Sequence, residues 1–96
     1  MSTSSLSAHL NTLQEAIQTR SVLRLTYADG KGAYSERDIE PLAIYLTLVA
    51  DWRLVAWCRL REDYREFNLE RIQKSEVVGE HYAPRFFRLK DYFREG

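Results

Sequence analysis

Residues 52–72, WRLVAWCRLREDYREFNLERI, are typical of two β-strands joined by a short turn. Side chains along a strand point alternately to its two faces, so one face of residues 52–60 is apolar. Glu62 and Asp63 supply the polar turn, and the second strand covers residues 64–69. We expect the apolar face of the first strand to line the core. It carries Trp52, Leu54, Ala56, Cys58 and Leu60.

The same stretch is rich in arginine and aromatic residues. Eleven of the fourteen basic residues in the chain are arginine, and a guanidinium is suited to planar, bidentate recognition of phosphate or carboxylate. Aromatic rings beside arginines on a sheet also offer surfaces on which bases stack. The pattern therefore points to an anion-binding or base-binding surface. Its members are Arg53, Arg59, Arg61, Arg65 and Arg71, among Trp52, Trp57, Tyr64 and Phe67.

The rest of the chain predicts a mainly β (α+β) domain. Apolar residues Leu6, Leu10, Leu13 and Ile17 recur at helical spacing and predict a helix that ends near residues 19–21. Strands are predicted from Val22, at 33–40 and at 73–82, with a hairpin turn at 29–32.

Two prolines mark interruptions in this pattern. Pro41 cannot donate to a strand ladder and predicts a bend, beyond which residues 42–50 continue the second strand. Pro84 ends the fifth strand, and a short C-terminal helix follows. We expect one domain: a helical segment at 1–21, a small five-stranded β-barrel at 22–83, and a C-terminal helix or tail at 84–96.

Composition excludes several classes of protein. No apolar run approaches the roughly 18 residues of a membrane span, and the N-terminus lacks the pattern of a signal peptide. The single cysteine, Cys58, fits a reducing compartment, so we expect a cytoplasmic protein. Formal net charge is zero, which predicts weak non-specific attraction to nucleic acid and favours a local pocket over a broad basic surface.

Catalysis has little support in the sequence. The histidines, His9 and His81, lack partners at metal-ligand spacing, and Cys58 has no second cysteine with which to hold zinc. Gly30 and Gly32 belong to a hairpin turn and not to a phosphate loop. We therefore expect a protein that is not an enzyme and that uses no metal or cofactor.

Arg65 and Arg71 are expected on the strand face that also carries Phe67 and Leu69. Such an arginine either pairs with a carboxylate, for which Glu40, Asp38 and Glu70 are the candidates, or lines a polar pocket. Both alternatives stay open on the residues alone. Arg59 is a weaker candidate because it can stack on Trp57. Tyr27 can be a core residue with a hydrogen-bonded hydroxyl.

Two stretches resemble the WYL domain of bacterial transcriptional regulators. The first, RLTYADGKGAYSERDIEPLAIYL, supplies the family's tyrosine, arginine and proline as Tyr27, Arg37 and Pro41. The second ends in the family's arginine-x-phenylalanine-x-leucine-acidic-arginine-isoleucine pattern at residues 65–72. The Trp-Tyr-Leu triplet appears as Trp52-Arg53-Leu54, without its tyrosine. The resemblance covers roughly residues 15–82.

This resemblance implies a Sm-like or SH3-like small barrel that senses a ligand, either single-stranded nucleic acid or a nucleotide-like molecule. The family's basic pocket carries over onto Arg59, Arg65 and Arg71, with Tyr27 and Arg37 nearby. Tyr27 or Trp57 would stack on a base. Arg53 departs from the family pattern and is itself placed to reach a phosphate.

A second interpretation is a protein-interaction or oligomerisation module without a nucleic-acid ligand. It rests on the apolar helix stripe and on an aromatic tail, Phe86, Phe87, Tyr92 and Phe93. WYL domains usually follow a winged helix-turn-helix, and here one helix precedes the barrel. The chain is therefore a stand-alone protein, an excised domain or an accessory subunit. Its expected partners are the ligand and a second copy or another regulator subunit, with no membrane.

Overall fold

A computed structural model describes residues 2–85 and 87–95, apart from the side chains of 2–8, 91, 94 and 95. Its elements follow the predicted order and confirm the fold class: one helix, five antiparallel strands and a short C-terminal helix. They are α1 (Ser2–Thr19), β1 (Ser21–Ala28), β2 (Tyr34–Leu46), β3 (Trp52–Cys58), β4 (Asp63–Asn68), a 3-10 turn (Leu69–Arg71), β5 (Ile72–His81) and α2 (Leu89–Glu95). No helix among the described residues is long and apolar enough to cross a bilayer.

The five strands form one antiparallel sheet in the order β4-β3-β2-β1-β5. The sheet is open, because β4 and β5 are its two edges and are not hydrogen-bonded to each other in the described part of the chain. The predicted barrel is therefore not closed. Closure requires the edge strands to pair, and here each edge strand has one strand neighbour.

Pro41 lies at the predicted irregularity in β2. The register between β2 and β3 shifts between Pro41, which pairs with Ala56, and Ala43, which pairs with Val55. A proline has no N–H to give to the ladder, so an extra residue, Leu42, is accommodated at this point. The strand continues beyond the shift as far as Leu46. Its predicted continuation through residues 47–50 is wrong, because the Ala50 N–H donates to the Thr47 carbonyl at 3.0 Å and turns the chain back towards β3.

Side-chain and backbone hydrogen bonds close the β1–β2 hairpin. The Asp29 carboxylate accepts hydrogen bonds from the backbone N–H groups of Lys31 (2.8 Å) and Ala33 (2.9 Å). Gly32 has a φ of 84°, which a glycine adopts without the steric cost that a Cβ brings. The turn therefore forms where the sequence places it.

The core lies between α1 and one face of the sheet. Leu13 and Ala16 of the helix are buried against residues from all five strands and the 3-10 turn: Leu23, Leu25, Ile39, Leu54, Ala56, Phe67, Leu69 and Ile72. The predicted core face of β3 is confirmed for Leu54, Ala56 and Cys58. It is wrong for Leu60, which is exposed because the strand ends at Cys58.

The placement of Arg71 on a strand face is also wrong. β4 ends at Asn68, whose side chain accepts a hydrogen bond from the N–H of Glu70 at 2.9 Å and caps the 3-10 turn. A local side-chain hydrogen bond of this kind competes with continuation of a strand. Arg71 therefore leaves the row that holds Arg65 and Phe67, and its side chain is exposed.

Candidate functional site

The strand register assigns five of the seven predicted site residues to a face of the sheet, whereas Arg59 and Arg71 lie just beyond the ends of β3 and β4. Residues that pair directly across an antiparallel ladder share a face. Arg37 pairs with Leu25 and Arg65 with Ala56, so both share the face that carries the core. Arg53 and Trp57 lie on the opposite face, which we call the outer face. It also carries Glu40, Tyr45, Tyr64 and Glu66.

Tyr27 joins β1 to the far edge of the sheet. Its ring meets Phe67 edge to face, with 5.1 Å between ring centroids, and its hydroxyl accepts a hydrogen bond from the backbone N–H of Asn68 at 3.1 Å. A partly buried aromatic that packs on the core and has a satisfied hydroxyl is one of the two roles that the sequence allows for this residue. Tyr27 thereby positions the residue that starts the turn carrying Arg71.

Arg71 lies across the β1–β2 hairpin. A Cβ added to Gly30 would be 3.2 Å from the Arg71 Nη1 atom, so the guanidinium passes close over the glycine backbone. Gly30 leaves room for this approach. The tip of the hairpin and the 3-10 turn therefore meet through these two residues.

Arg37 and Arg65 are half-buried at the margin of the core face. The Arg37 Nη1 donates to the Cys58 Sγ at 3.7 Å. Arg37 also opens onto a surface cleft of ≈ 570 Å³, lined by Arg24, Glu36, Arg37, Asp38, Arg59 and Leu60. Arg37 is thus reachable from solvent through this cleft, although it shares a face with buried residues.

The Cys58 thiol is buried and free. Burial raises its pKa, but the backbone amides of Arg61 and Leu60 and the Arg37 guanidinium act in the opposite direction and prevail, so the pKa lies below its usual range. The thiol packs in the core, as the sequence predicts.

Arg59 is balanced by two carboxylates. Its Nε donates to Glu40 at 3.0 Å and its Nη1 to Glu80 at 2.7 Å. The Glu80 hydrogen bond is the main reason that the pKa of Arg59 is raised, with Glu40 adding to it. Any ligand phosphate would have to compete with these two partners.

Trp57 and Arg53 are engaged on the outer face. The Arg85 guanidinium lies 4.0 Å from the Trp57 ring centroid, and Arg85 also donates to Glu40 at 2.7 Å. Arg53 approaches Asp51 at 3.5 Å, while its Nε is buried without a hydrogen-bond partner. The Trp57 ring is therefore covered by the chain itself.

Glu66 joins two tyrosines on the same face. Its carboxylate oxygens accept hydrogen bonds from Tyr45 at 2.5 Å and from Tyr92 at 2.9 Å. Burial, together with the Glu66 charge, raises the pKa of each tyrosine to about 12. The sequence contains no signal for Glu66 or Arg85 and places Tyr92 only in an aromatic tail, because no local pattern marks contacts between positions 26 or 45 residues apart.

Ion pairing separates the arginines into two groups. Arg24, Arg53, Arg59 and Arg85 pair with Asp38, Asp51, Glu40 and Glu80. By contrast, none of the carboxylates with described side chains forms an ion pair with Arg37, Arg65 or Arg71. None of these three guanidiniums is neutralised by a described carboxylate, although Arg37 already directs one N–H to Cys58. Arg20 and Arg61 also form no ion pair with a described carboxylate, but Arg37 and Arg65 differ from them in sharing the core face with Tyr27.

Comparison with known proteins agrees with this architecture. The chain is similar over 79% of its length to proteasome accessory factor B/C (PafBC) of Arthrobacter aurescens, with 28% identity and a TM-score of 0.74. The match covers 12% of that chain, so it corresponds to a small part of a longer protein. The family model of the WYL domain matches residues 8–77. The chain therefore belongs to the WYL domain family.

Proposed function

We propose that this domain is a ligand-sensing regulatory domain of a bacterial transcription regulator, that it acts in the cytoplasm without catalysing a reaction, and that it binds single-stranded nucleic acid or a nucleotide-like molecule. Membership of the WYL family supports the regulatory role. The ligand part of the proposal rests on the arginines of the core face and the adjoining turn.

The observation that carries the proposal is the lack of carboxylate partners at Arg37, Arg65 and Arg71 among the described side chains. The chain has fourteen acidic and fourteen basic residues, so charge partners are not scarce. An unpaired guanidinium presents a planar set of donors that fits a phosphate. A local anion site can therefore exist in a chain of zero net charge.

The aromatic contribution to such a site is smaller than the sequence predicts. Trp57 is covered by Arg85, and Tyr27 already uses its hydroxyl and its contact with Phe67. The arrangement supports recognition of phosphate by arginine more than stacking of several bases. Arg59 and Arg53 already pair with carboxylates, so in this proposal they contribute less to phosphate binding than the unpaired arginines do.

Fluorescence anisotropy with a labelled single-stranded oligonucleotide, measured across a salt series, tests the proposal. We expect Arg65→Ala/Arg71→Ala to weaken binding at least tenfold and to reduce the salt dependence by about two phosphate contacts. The matched control is Arg61→Ala/Lys74→Ala, which removes the same charge from exposed positions. Equal binding by both double variants, or no binding by the wild-type chain at low salt, would contradict the proposal.

The rival role as a protein-interaction module has one structural feature in its favour. The stripe of α1 faces the core of its own domain at Leu13, Leu10 and Ile17, and Phe87, Tyr92 and Phe93 contact other rings of the chain. Leu6 and Phe86 lie outside the described side chains. The feature in favour of the rival role is the β2–β3 hairpin tip, where Leu46, Leu48 and Val49 are exposed close together in the chain.

A further inference from the structure

The outer face of β2, β3 and β4 has an acidic and aromatic surface. Glu40 and Glu66 supply carboxylates, and Trp57 and Tyr64 supply rings that meet edge to face at 5.1 Å. Carboxylates repel phosphate, so this face suits a cationic or hydroxyl-bearing partner. The C-terminal segment, of which residues 85 and 87–95 are described, lies against it and provides that chemistry.

Each carboxylate divides its oxygens between the sheet and the segment. Glu40 accepts from Arg59 of the sheet region at 3.0 Å and from Arg85 of the segment at 2.7 Å. Glu66 accepts in the same way from Tyr45 and from Tyr92. Departure of the segment would therefore leave each carboxylate with one hydrogen-bond donor, Arg59 for Glu40 and the neutral Tyr45 hydroxyl for Glu66.

The aromatic contacts follow the same division. Trp57 and Tyr64 contact each other within the sheet, while Arg85 covers Trp57 and Phe87 lies 5.4 Å from Tyr64. Phe93 adds a contact with Tyr45 at 4.8 Å. The sheet thus presents a preformed group of rings and carboxylates. The segment contacts this group through the Arg85 guanidinium and several aromatic rings.

The connection to this segment is short and contains a proline. Tyr82 is buried, donates its N–H to the Arg20 carbonyl at 2.9 Å and bonds the Pro41 carbonyl through its hydroxyl. Ala83, Pro84 and Arg85 lie in neither helix nor strand. Tyr82 is therefore the anchor, and a change of path at residues 83–84 would redirect everything that follows.

We propose that the outer face is a docking surface for this C-terminal segment in trans, so that a second copy of the chain exchanges its segment with the first. Complementarity is assured, because every contact made within one copy can be made between two. Exchange of an identical element is a low-cost route to a dimer. The two carboxylates select an arginine-bearing and tyrosine-bearing segment, and Arg85 and Tyr92 meet that requirement.

Docking within one copy competes with exchange. A short tether gives an effective concentration on the order of 1 mM, so the wild-type chain closes on itself when dilute. The decisive experiment removes this internal competition with two complementary variants. One has a defective surface, Trp57→Ala/Tyr64→Ala, and the other a defective segment, Arg85→Ala/Phe87→Ala.

Sedimentation analysis of each variant alone and of their equimolar mixture tests the proposal. In the mixture, the intact segment of the first variant can dock on the intact surface of the second. We expect a heterodimer whose association is at least tenfold tighter than self-association of either variant. Circular dichroism and thermal melting establish that each variant is folded, and Tyr64→Ala alone replaces the first variant if it is not.

Lys90→Ala provides the matched control in the segment, since this side chain is exposed on α2. It should leave the self-association of the wild-type chain unchanged. A mixture that sediments as two monomers would overturn the proposal. So would a dimer that the segment-defective variant forms alone as tightly as the wild-type chain does, because that dimer would use another surface.

Discussion

The Tyr27 hydroxyl accepts a hydrogen bond from the backbone N–H of Asn68 at 3.1 Å, across 41 positions of sequence. This contact fixes the end of β4, where the 3-10 turn begins. We expect Tyr27→Phe to lower the free energy of unfolding by about 1 kcal/mol, because the Asn68 N–H loses its partner while the ring contact with Phe67 remains. Urea denaturation followed by circular dichroism measures this loss.

Tyr34→Phe is the control for the same chemical change. Tyr34 is exposed and pairs with Ala28 near the end of the hairpin, and its hydroxyl has no hydrogen-bond partner among the described residues. Its removal should leave the unfolding free energy unchanged. If both variants lost the same stability, the Tyr27–Asn68 hydrogen bond would have no special role.

Local signals account for the parts of the fold that the sequence predicts well. Alternating apolar residues place the core face of β3, and Pro41 marks the register shift because it lacks an N–H. The Asn68 cap is also a local signal, since an asparagine two residues before the N–H that it binds is a familiar turn element. The alternation of side chains continues through residue 71 and therefore predicts a strand where the Asn68-capped turn forms. This is why the predicted placement of Arg71 is wrong.

The candidate site depends on contacts that no local pattern contains. Arg85 reaches Glu40 across 45 positions, and Tyr92 reaches Glu66 across 26. Sequence alone identifies the arginines as a group, but it does not reveal which of them are neutralised. Only the folded chain separates the paired Arg59 from Arg37, Arg65 and Arg71.

Glu40 supplies a second test of stability. Its side chain is buried, with the residue 5% exposed, and it contacts the Arg59 and Arg85 side chains, which are 33% and 31% exposed. Loss of one partner from a fully buried ion pair costs about 3–5 kcal/mol. Because these guanidiniums are partly solvated, we expect Glu40→Gln to cost about 2 kcal/mol in urea denaturation.

Asp38→Asn is the comparison for an exposed pair. The Arg24 and Asp38 side chains are 43% and 38% exposed, and water screens their interaction. We expect a loss of less than about 1 kcal/mol. Burial would not set the strength of these ion pairs if Asp38→Asn were destabilised as much as Glu40→Gln.

Tyr45 and Tyr92 should cause a stability loss at high pH. Burial and the Glu66 charge raise the folded-state pKa of each from 10.0 to about 12. Their contribution is therefore complete below pH 10.0 and decreases as the pH rises through about 12, since the unfolded chain releases these protons first. Denaturation measured at several pH values, with absorbance titration of phenolate, should show this decrease.

Glu66→Gln separates the two causes of these shifts. It removes the carboxylate charge but leaves the burial, which is the larger cause. We expect the pKa of Tyr45 and of Tyr92 to fall relative to the wild-type chain, without full return to 10.0. An unchanged titration curve would show that Glu66 does not interact with them.

Gly30 and Gly32 give a matched pair of substitutions that separates stability from binding. A Cβ at Gly30 would meet the flexible end of Arg71 at 3.2 Å, so Gly30→Ala should move the guanidinium at little cost to stability. At Gly32, where φ is 84° and no atom lies within 4 Å, alanine meets open space but strains the backbone by about 1–2 kcal/mol. If Arg71 contacts the ligand, oligonucleotide affinity should fall severalfold for Gly30→Ala and stay unchanged for Gly32→Ala. In urea denaturation, Gly32→Ala should instead lose more stability than Gly30→Ala. Anisotropy and denaturation on both variants check this, and equal affinities would remove Arg71 from the proposed site.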